Sequence, residues 1–399
     1  MIAVSEETRL VDAALLIGAG IVAACQVGKA FIAMPLIIAD LHIGVGIGSM
    51  ILAIVAFVGA LGAMPVSMVL RRLGAHRALI FGLGAIGIGS AIGAAASGAA
   101  ILIVSRAIEG FGLLATVLVI PDLLQQTVAP RDRDLMLAIW GSYMPIGTVV
   151  MLLLGPALPE IGWRALWGFN AILPIAYALL CLFRFGLGER GARGSPLLSD
   201  VEALFRAPAC RYLALAFALY SFSYVAIAGF MPLILVTQLH VSVAVAGLFT
   251  TAAVAANVVG NIMAGILLRA GIPIWANVAV SFTVYGIASL IIFASGADAG
   301  LIAATAAITL GLGGLSPGSI FAAIPRFAPT PALITPTVGL VQQASNIGQF
   351  TGPLATGFVA AHFGWPAIPL VMIPAACMGL AVAAGIRNAG AHVECFQSR

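Results

Sequence analysis

The sequence has little charge: only 8% of its 399 residues are Asp, Glu, Lys or Arg, whereas 62% are hydrophobic. Soluble globular domains carry about 25% charged residues, so this scarcity excludes a soluble fold. Several apolar segments reach the roughly 20 residues that a helix needs to cross the hydrocarbon core of a bilayer. They lack the polar alternation of barrel strands. The composition therefore predicts an all-α integral membrane protein.

Catalytic and cofactor signatures are equally scarce. The five cysteines are scattered without a CxxC pair, and the histidines have no metal-protease spacing. The stretch GLGAIG (82–87) fits a dinucleotide-binding pattern, but it lies inside an apolar segment with no strand before it. No P-loop is present. We therefore expect no enzyme, no cofactor, no metal site and no nucleic-acid partner.

Twelve segments are long and apolar enough to be spans. They cover residues 13–38, 44–70, 77–97, 100–127, 136–158, 166–187, 212–236, 244–268, 275–295, 300–325, 338–361 and 366–386. Fifteen arginines fall in the connections on the side of the N-terminus, and only Arg164 falls on the other side. Because basic residues accumulate in cytoplasmic connections, we expect both termini in the cytoplasm and the protein in a bacterial inner membrane.

The chain also contains an internal repeat. MPLIIADLHIGVGIGSM (34–50) matches MPLILVTQLHVSVAVAGL (231–248), and shorter matches follow at 70–74 and 268–271 and at 162–164 and 364–366. The offsets are all close to 200 residues. A polar connection at 188–211, with capping-box spacing at Ser199 and Glu202 that predicts a short helix, separates the copies. We predict two parallel, pseudo-symmetric six-helix bundles, at 1–187 and 212–399.

Three local motifs resemble those of the major facilitator superfamily. SRAIEGFG (105–112) is similar to its fourth-helix motif, RRLGAHR (71–77) to its loop between helices two and three, and GTVVMLLLGP (147–156) to its glycine-proline helix. The chain resembles the cyanate and nitroimidazole permease branch most. It departs from the family at Arg71, where an aspartate is usual, and at GPALPE (155–160), where antiporters continue with glycines.

The resemblance implies where each span lies relative to the cavity and the lipid. Spans 1, 4, 7 and 10 would line a central cavity, spans 2, 5, 8 and 11 would flank it, and spans 3, 6, 9 and 12 would face lipid. It also implies a gating role for the loop motif residues Arg71, Arg72, Gly74 and Arg77, and for Asp122 near the inner end of span 4.

Three charges stand out because they lie well away from the ends of the predicted spans: Lys29, Arg106 and Glu109. At 1.5 Å per residue, Lys29 and Glu109 lie at a similar depth, about 12–14 Å below the outer surface. Intramembrane charges are costly and usually functional. One interpretation is a substrate site with one excess positive charge, formed by Lys29, Arg106 and the adjacent Gln26, with Glu109 as proton carrier. The alternative is a structural Lys29–Glu109 pair with Arg106 reaching outward.

Polar residues on other spans are candidates for contact with substrate or for hydrogen bonds between helices. They are Tyr220 and Tyr224 on span 7, Asn257 on span 8, and Gln342, Asn346 and Gln349 on span 11. We expect a monomeric secondary transporter that moves a small anionic organic solute by alternating access, coupled to protons. The alternative is a proton-driven multidrug or metabolite efflux antiporter; an intramembrane enzyme or a non-transporting sensor fits the sequence less well.

Overall fold

The computed structural model describes residues 8–397 except 130–135, 137–138, 141, 189–201, 203 and 331–332. It also leaves some helical side chains undescribed, those of Arg71 and Arg72 among them. The described residues contain helices and turns but no strand. The helices are α1 (Leu10–Leu41), α2 (Val45–Leu73), α3 (Ala75–Ala94), α4 (Ala99–Thr127), α5 (Tyr143–Leu152), α6 (Leu158–Phe185), α7 (Pro208–Ala228), α8 (Met231–Thr237), α9 (Val243–Arg269), α10 (Ile274–Ala294), α11 (Ala299–Gly313), α12 (Leu315–Phe327), α13 (Ile334–Phe363) and α14 (Pro369–Gln397).

Ten stretches of the described residues are helical, long and apolar enough to cross a membrane. The all-helical membrane fold is thus confirmed. One stretch, Tyr143–Phe185, contains predicted spans 5 and 6, and α13, which coincides with predicted span 11, is not among the ten. The count of twelve spans stays a prediction. The short helix predicted after Ser199 lies largely outside the described residues.

The repeated sequence segments adopt the same backbone conformation in both copies. Residues with a side chain rarely take a positive φ, yet the histidine of each Leu-His pair does, and the glycines of the shorter matches do so as well. The pairs are His42 (φ 51°) and His240 (φ 53°), Gly74 (φ 93°) and Gly271 (φ 88°), and Gly162 (φ 76°) and Gly364 (φ 79°). The sequence repeat therefore corresponds to a repeated chain path, with helices ending at equivalent turns.

Most helices pack within their own copy of the repeat. In the first copy α3 packs on α4 and α6, and α1 packs on α5; in the second, α10 packs on α14, and α13 on α7. The most extensive contacts between the copies are those of α2 with α13 and of α5 with α9, and smaller ones join α1 to α8 and α6 to α9. The first two pairs are flanking spans in the family arrangement.

The joining contacts are tight near the end of the molecule where α1 ends and α2 begins, which we call the α1–α2 end. A Cβ added to Gly357 on α13 would lie 2.2 Å from the Ser49 Cβ on α2, and one added to Gly155 would lie 3.2 Å from the Gly247 Cα. Toward the opposite end, a Cβ added to Gly265 or Gly339 would meet no other part of the chain within 4 Å. The copies are thus pressed together at the α1–α2 end.

Candidate functional site

The three intramembrane charges meet in one buried cluster. The Lys29 ammonium on α1 lies 2.7 Å from Oε1 of Glu109 on α4, and the Arg106 guanidinium pairs with Oε2 of the same carboxylate. The side chains are at most 1% exposed. Arg106 precedes Glu109 by three residues, so that one helical turn brings both to the same face. Of the alternative, the Lys29–Glu109 pair is present, but the outward reach of Arg106 is wrong, because its guanidinium is held by this carboxylate and by the Ile51 carbonyl, 3.3 Å from Nε.

Neutral side chains from α3 and α6 complete the cluster. Ser90 Oγ accepts a hydrogen bond from Lys29 Nζ at 2.8 Å and lies 2.9 Å from Glu109 Oε1 and 3.1 Å from Gln26 Oε1. The single hydroxyl proton of Ser90 can be donated to only one acceptor at a time, either Glu109 Oε1 or Gln26 Oε1. The Gln26 amide donates in turn to Asn170 Oδ1 at 3.2 Å. The network thus ties α1, α3, α4 and α6 together around the carboxylate.

Trp167 on α6 covers the cluster on the side of the α1–α2 end. The Lys29 ammonium lies 4.6 Å from the Trp167 ring centroid, a cation–π distance. Trp163 packs edge-on against this ring at 5.5 Å and donates its indole N–H to Asp40 Oδ2 at 3.1 Å. Arg164 binds the same Asp40 oxygen at 2.5 Å. The positive φ at Gly162 breaks the helical path of α6 just before Trp163 and so sets the direction of the residues that follow.

The cluster carries one excess positive charge. Four charged side chains are buried among the described residues: Asp12, Lys29, Arg106 and Glu109. Asp12 pairs elsewhere with Arg184, at 2.7 Å. The remaining three comprise two cations and one carboxylate. With all three side chains ionised, the formal charge of the cluster is therefore +1, and a buried net charge is costly unless something compensates it.

A cavity of about 20 Å³, with room for about one water molecule, lies between the cluster and the second copy. It is lined by side chains from α1, α2, α4, α7 and α13, so both copies of the repeat contribute to its wall. Among the described residues that line it, Arg106 is the charged one and Gln349 on α13 is the other polar one. The lining residues are Val27, Phe31, Leu52, Val55, Ala56, Arg106, Val225 and Gln349. A larger groove on the outer face of α3 and α4 is lined by apolar side chains alone, Phe81 and Phe111 among them. It has no group that could orient a polar solute.

The candidates on spans 7 and 8 form a second, uncharged cluster. The Tyr220 hydroxyl lies 3.0 Å from Asn257 Nδ2 and 3.3 Å from Asn257 Oδ1, and Tyr224 stacks beside Tyr220 with ring centroids 5.9 Å apart. Asn257 also donates to the Leu310 carbonyl at 2.8 Å, which supports the chain just before α11 ends. Tyr285 on α10 packs against Tyr220 from the other side. Asn257 is therefore engaged with protein on both sides.

The predicted polar stripe on span 11 is divided between two environments. Gln349 lines the cavity opposite Arg106 and donates to Ser345 Oγ at 3.1 Å. Asn346 instead packs onto α2, where a Cβ added to Gly59 would lie 2.5 Å from its Cγ. The Asn346 amide donates to the carbonyl of Gln342, one turn earlier on the same helix. Only the Gln349 end of the stripe reaches the cavity that Arg106 lines.

The loop motif joins α2 to α3. Gly74 caps both helices at φ 93°, a conformation that favours glycine. Arg77 reaches the Gly188 carbonyl at 3.5 Å. Asp122 lies exposed near the end of α4, and the side chains of Arg71 and Arg72 lie outside the described part. The proposed gating role stays a prediction.

Sequence reasoning missed the residues from helices assigned to the lipid face. Ser90 and Asn170 are isolated polar residues on predicted spans 3 and 6, and Trp167 looks like an ordinary apolar residue in the sequence. All three are buried. A lone polar residue on an otherwise apolar span could have been the signal, because a hydroxyl or amide in a bilayer turns toward a protein partner.

These features define a class: a multi-pass helical membrane protein whose two repeated halves enclose a cavity next to buried charges, the organisation of a secondary transporter. A family model of the Major Facilitator Superfamily matches residues 16–332. The chain therefore belongs to the major facilitator superfamily and is a transporter rather than an enzyme, as the motifs predicted.

The chain is similar to several known transporters. It is 32% identical over 96 residues to the efflux pump notK of an Aspergillus species, covering 24% of this chain and 17% of that protein. It is 27% identical over 174 residues to a Mycobacterium tuberculosis protein named "probable multidrug-efflux transporter", covering 42% of this chain and 36% of that one. The chain thus spans about a third or less of the length of these curated relatives.

Solved structures share the fold over nearly the whole chain. A bacterial homologue of the human lysosomal transporter Spinster, inward-facing and unoccupied, superposes with a TM-score of 0.72 at 17% identity, covering 98% of this chain and 97% of that one. The occupied inward-facing form gives a TM-score of 0.69 at 17% identity, again covering 98% and 97%. Likeness at this identity concerns the fold.

Proposed function

We propose that the protein is a proton-coupled secondary transporter that moves a small anionic organic solute by alternating access. The observation that carries the proposal is the buried Lys29–Glu109–Arg106 cluster, which has one excess positive charge and adjoins a cavity lined by both halves. An anion in that cavity would compensate the charge. A solute held between two halves is also the requirement for alternating access.

The two-bundle division at 188–211 and the rocking of residues 1–187 against 212–399 belong to this proposal. The arginine distribution supports cytoplasmic termini and inner-membrane insertion. The tight packing of the two copies at the α1–α2 end supports closure on the outer side. The loop motif at Arg71–Arg77, together with Asp122, would act as the cytoplasmic gate. The protein would function as a monomer, and the assignment to the cyanate and nitroimidazole permease branch stays a prediction.

Proton coupling in this proposal runs through Glu109. Its carboxylate holds both cations, so its protonation would release Lys29 and Arg106 together and raise the positive charge of the cluster. A proton and a substrate anion would then favour each other's presence. This thermodynamic link suits symport, because the two ligands bind as a neutral pair.

Reconstituted vesicles test the proposal. We expect purified protein to carry labelled small acids into vesicles that have an acidic exterior, and collapse of the proton gradient to abolish accumulation above equilibrium. Lys29→Ala should abolish transport while the variant remains folded. Arg269→Gln, which removes an exposed cation at the end of α9, is the matched control and should transport normally. Undiminished uptake by Lys29→Ala would refute the proposal.

The second candidate function is proton-driven efflux of a drug or metabolite, and it is favoured by the similarity to relatives named as efflux pumps. In that case Glu109 would be the indispensable charge and Lys29 would be dispensable. Transport of cationic drugs out of proteoliposomes by Lys29→Met, together with loss of transport in Glu109→Gln, would establish this candidate in place of the first.

A further inference from the structure

The walls of the cavity next to Arg106 are apolar. Of the eight side chains that line it, only Arg106 and Gln349 carry polar groups. A polar group buried without a hydrogen-bond partner costs on the order of 1–3 kcal/mol in proteins. A sugar or polyol would place several hydroxyls against Phe31, Leu52 and Val55 and leave them unpaired. In this conformation the cavity has room for about one water molecule, so a solute enters only when the two halves move apart and widen it. The apolar wall would then select a solute whose body is hydrocarbon.

The charge of the adjoining cluster limits the charge of the solute. With Lys29 and Arg106 against Glu109, the cluster is one positive charge in excess. One negative charge on a solute makes the site neutral. A dianion would leave one uncompensated negative charge among apolar walls, and a cation would raise the excess to two. Both outcomes carry the cost of an unpaired buried charge.

The Arg106 guanidinium is suited to a carboxylate. Two of its five N–H groups are engaged within the described residues, one by the Ile51 carbonyl and one by Glu109. The planar fork of arginine matches the two oxygens of a carboxylate. Gln349 faces the same cavity from α13 and can donate or accept. A carboxylate at Arg106 would thus be reached from both halves of the protein.

We infer that the substrate is a monoanion with an apolar body, of the chemical class of small aliphatic or aromatic monocarboxylates, recognised by Arg106 from one half and Gln349 from the other. The inference rests on the proposed transport function and narrows it. The apolar wall excludes sugars, and the charge of the adjoining cluster excludes dicarboxylates and organic cations.

Two series of probes with matched skeletons test the charge requirement. One contains benzoate, benzamide, benzylamine and phthalate; the other contains 4-methylpentanoate, its amide, its amine and isobutylmalonate. Binding is measured on the purified protein by calorimetry and by the shift in melting temperature. We expect the monocarboxylate of at least one series to bind at least ten-fold more tightly than its amide, amine and dicarboxylate partners. Equal or tighter binding of any of those partners, or binding by neither monocarboxylate, would overturn the inference.

Variants of the two polar lining residues test the recognition. Arg106→Gln leaves a neutral Lys29–Glu109 pair and should weaken binding of the monocarboxylate at least ten-fold. Gln349→Glu places a negative charge in the cavity and should weaken it to a similar extent, and it leaves the buried cluster intact should Arg106→Gln fail to fold. Arg269→Gln loses a cation at the surface and should bind normally. Unchanged binding in Gln349→Glu would contradict the inference.

Flux measurements separate this inference from the proposed function. In the same vesicles, transport of a cationic or neutral solute without any binding of monocarboxylates would overturn the substrate class and leave a transporter. Absence of flux for every solute tried, although a monocarboxylate binds with the expected charge selectivity, would overturn transport and leave the recognition site.

Discussion

Glu109 holds two cations at once, since one carboxylate oxygen lies 2.7 Å from the Lys29 ammonium and the other pairs with the Arg106 guanidinium. Glu109→Gln keeps the shape of the side chain but removes the negative charge of the cluster, so that two cations remain buried next to each other. Lys29→Met removes one cation and leaves a neutral Arg106–Glu109 pair. The two substitutions are similar in size and opposite in their electrostatic consequence.

The expected magnitudes differ accordingly. Removing one partner of a buried ion pair costs about 3–5 kcal/mol because it leaves an uncompensated buried charge. Glu109→Gln leaves two such charges, whereas after Lys29→Met the carboxylate is still compensated by Arg106. An unfolding entropy of about 2.1 cal/mol/K per residue gives roughly 0.8 kcal/mol/K for a chain of this length. We therefore expect Glu109→Gln to lower the melting temperature by roughly 4–6 °C, and Lys29→Met to change it by no more than roughly 2 °C.

The melting temperature can be followed through intrinsic tryptophan fluorescence of the detergent-solubilised protein, because Trp167 lies directly over the cluster. Arg269→Gln serves as the control for loss of a surface charge. A Lys29→Met variant that loses as much stability as Glu109→Gln would refute the reasoning, since the cluster would then not carry an excess positive charge. An unchanged melting temperature for Glu109→Gln would refute it as well, because the carboxyl would then be neutral in the folded protein.

Three further substitutions test other parts of the structure. Gly59→Val would place its Cβ 2.5 Å from Asn346 Cγ and force α2 away from α13. We expect at least a ten-fold loss of vesicle flux, which Asn346→Ala should partly restore. Normal flux in Gly59→Val alone would contradict the packing. Ser90→Ala removes the hydroxyl between Lys29 and Glu109. The free energy of unfolding should fall by about 1–3 kcal/mol, which lowers the melting temperature by roughly 1–4 °C. An unchanged melting temperature would mean that the Ser90 hydrogen bonds contribute nothing to stability. Asp40→Asn weakens an exposed pair with Arg164, and because exposed pairs contribute little we expect an unchanged melting temperature, which a large decrease would contradict.

The positions of the spans and the repeat could be predicted because they depend on local composition. Every predicted span coincides with helix in the described residues, since a chain in hydrocarbon must satisfy its own backbone hydrogen bonds. The repeat could also be recognised in the sequence, because turns such as those at His42 and His240 are encoded within a few residues. The repeat together with the three local motifs was enough to identify the family.

The partners of the buried charges could not be predicted in full. Similar depth suggested that Lys29 and Glu109 meet, and they do, but depth carries no information on the direction in which a side chain points. Ser90 and Trp167 lie 61 and 138 positions from Lys29 in the printed sequence, and only the packing of α3 and α6 against α1 and α4 brings them to it. The packing of α13 against α2 likewise places Gln349 in the cavity that Arg106 lines and Asn346 against Gly59.

The sequence by itself determined that the chain is a helical membrane protein with a repeated framework and three charges in one copy, because hydropathy and spacing are local properties. Only the tertiary structure decided that these charges meet in one buried cluster, and that Arg106 alone among them lines a cavity shared with the second copy. The physical reason is that burial and charge balance are sums over neighbours, and the neighbours come from helices far apart in the chain.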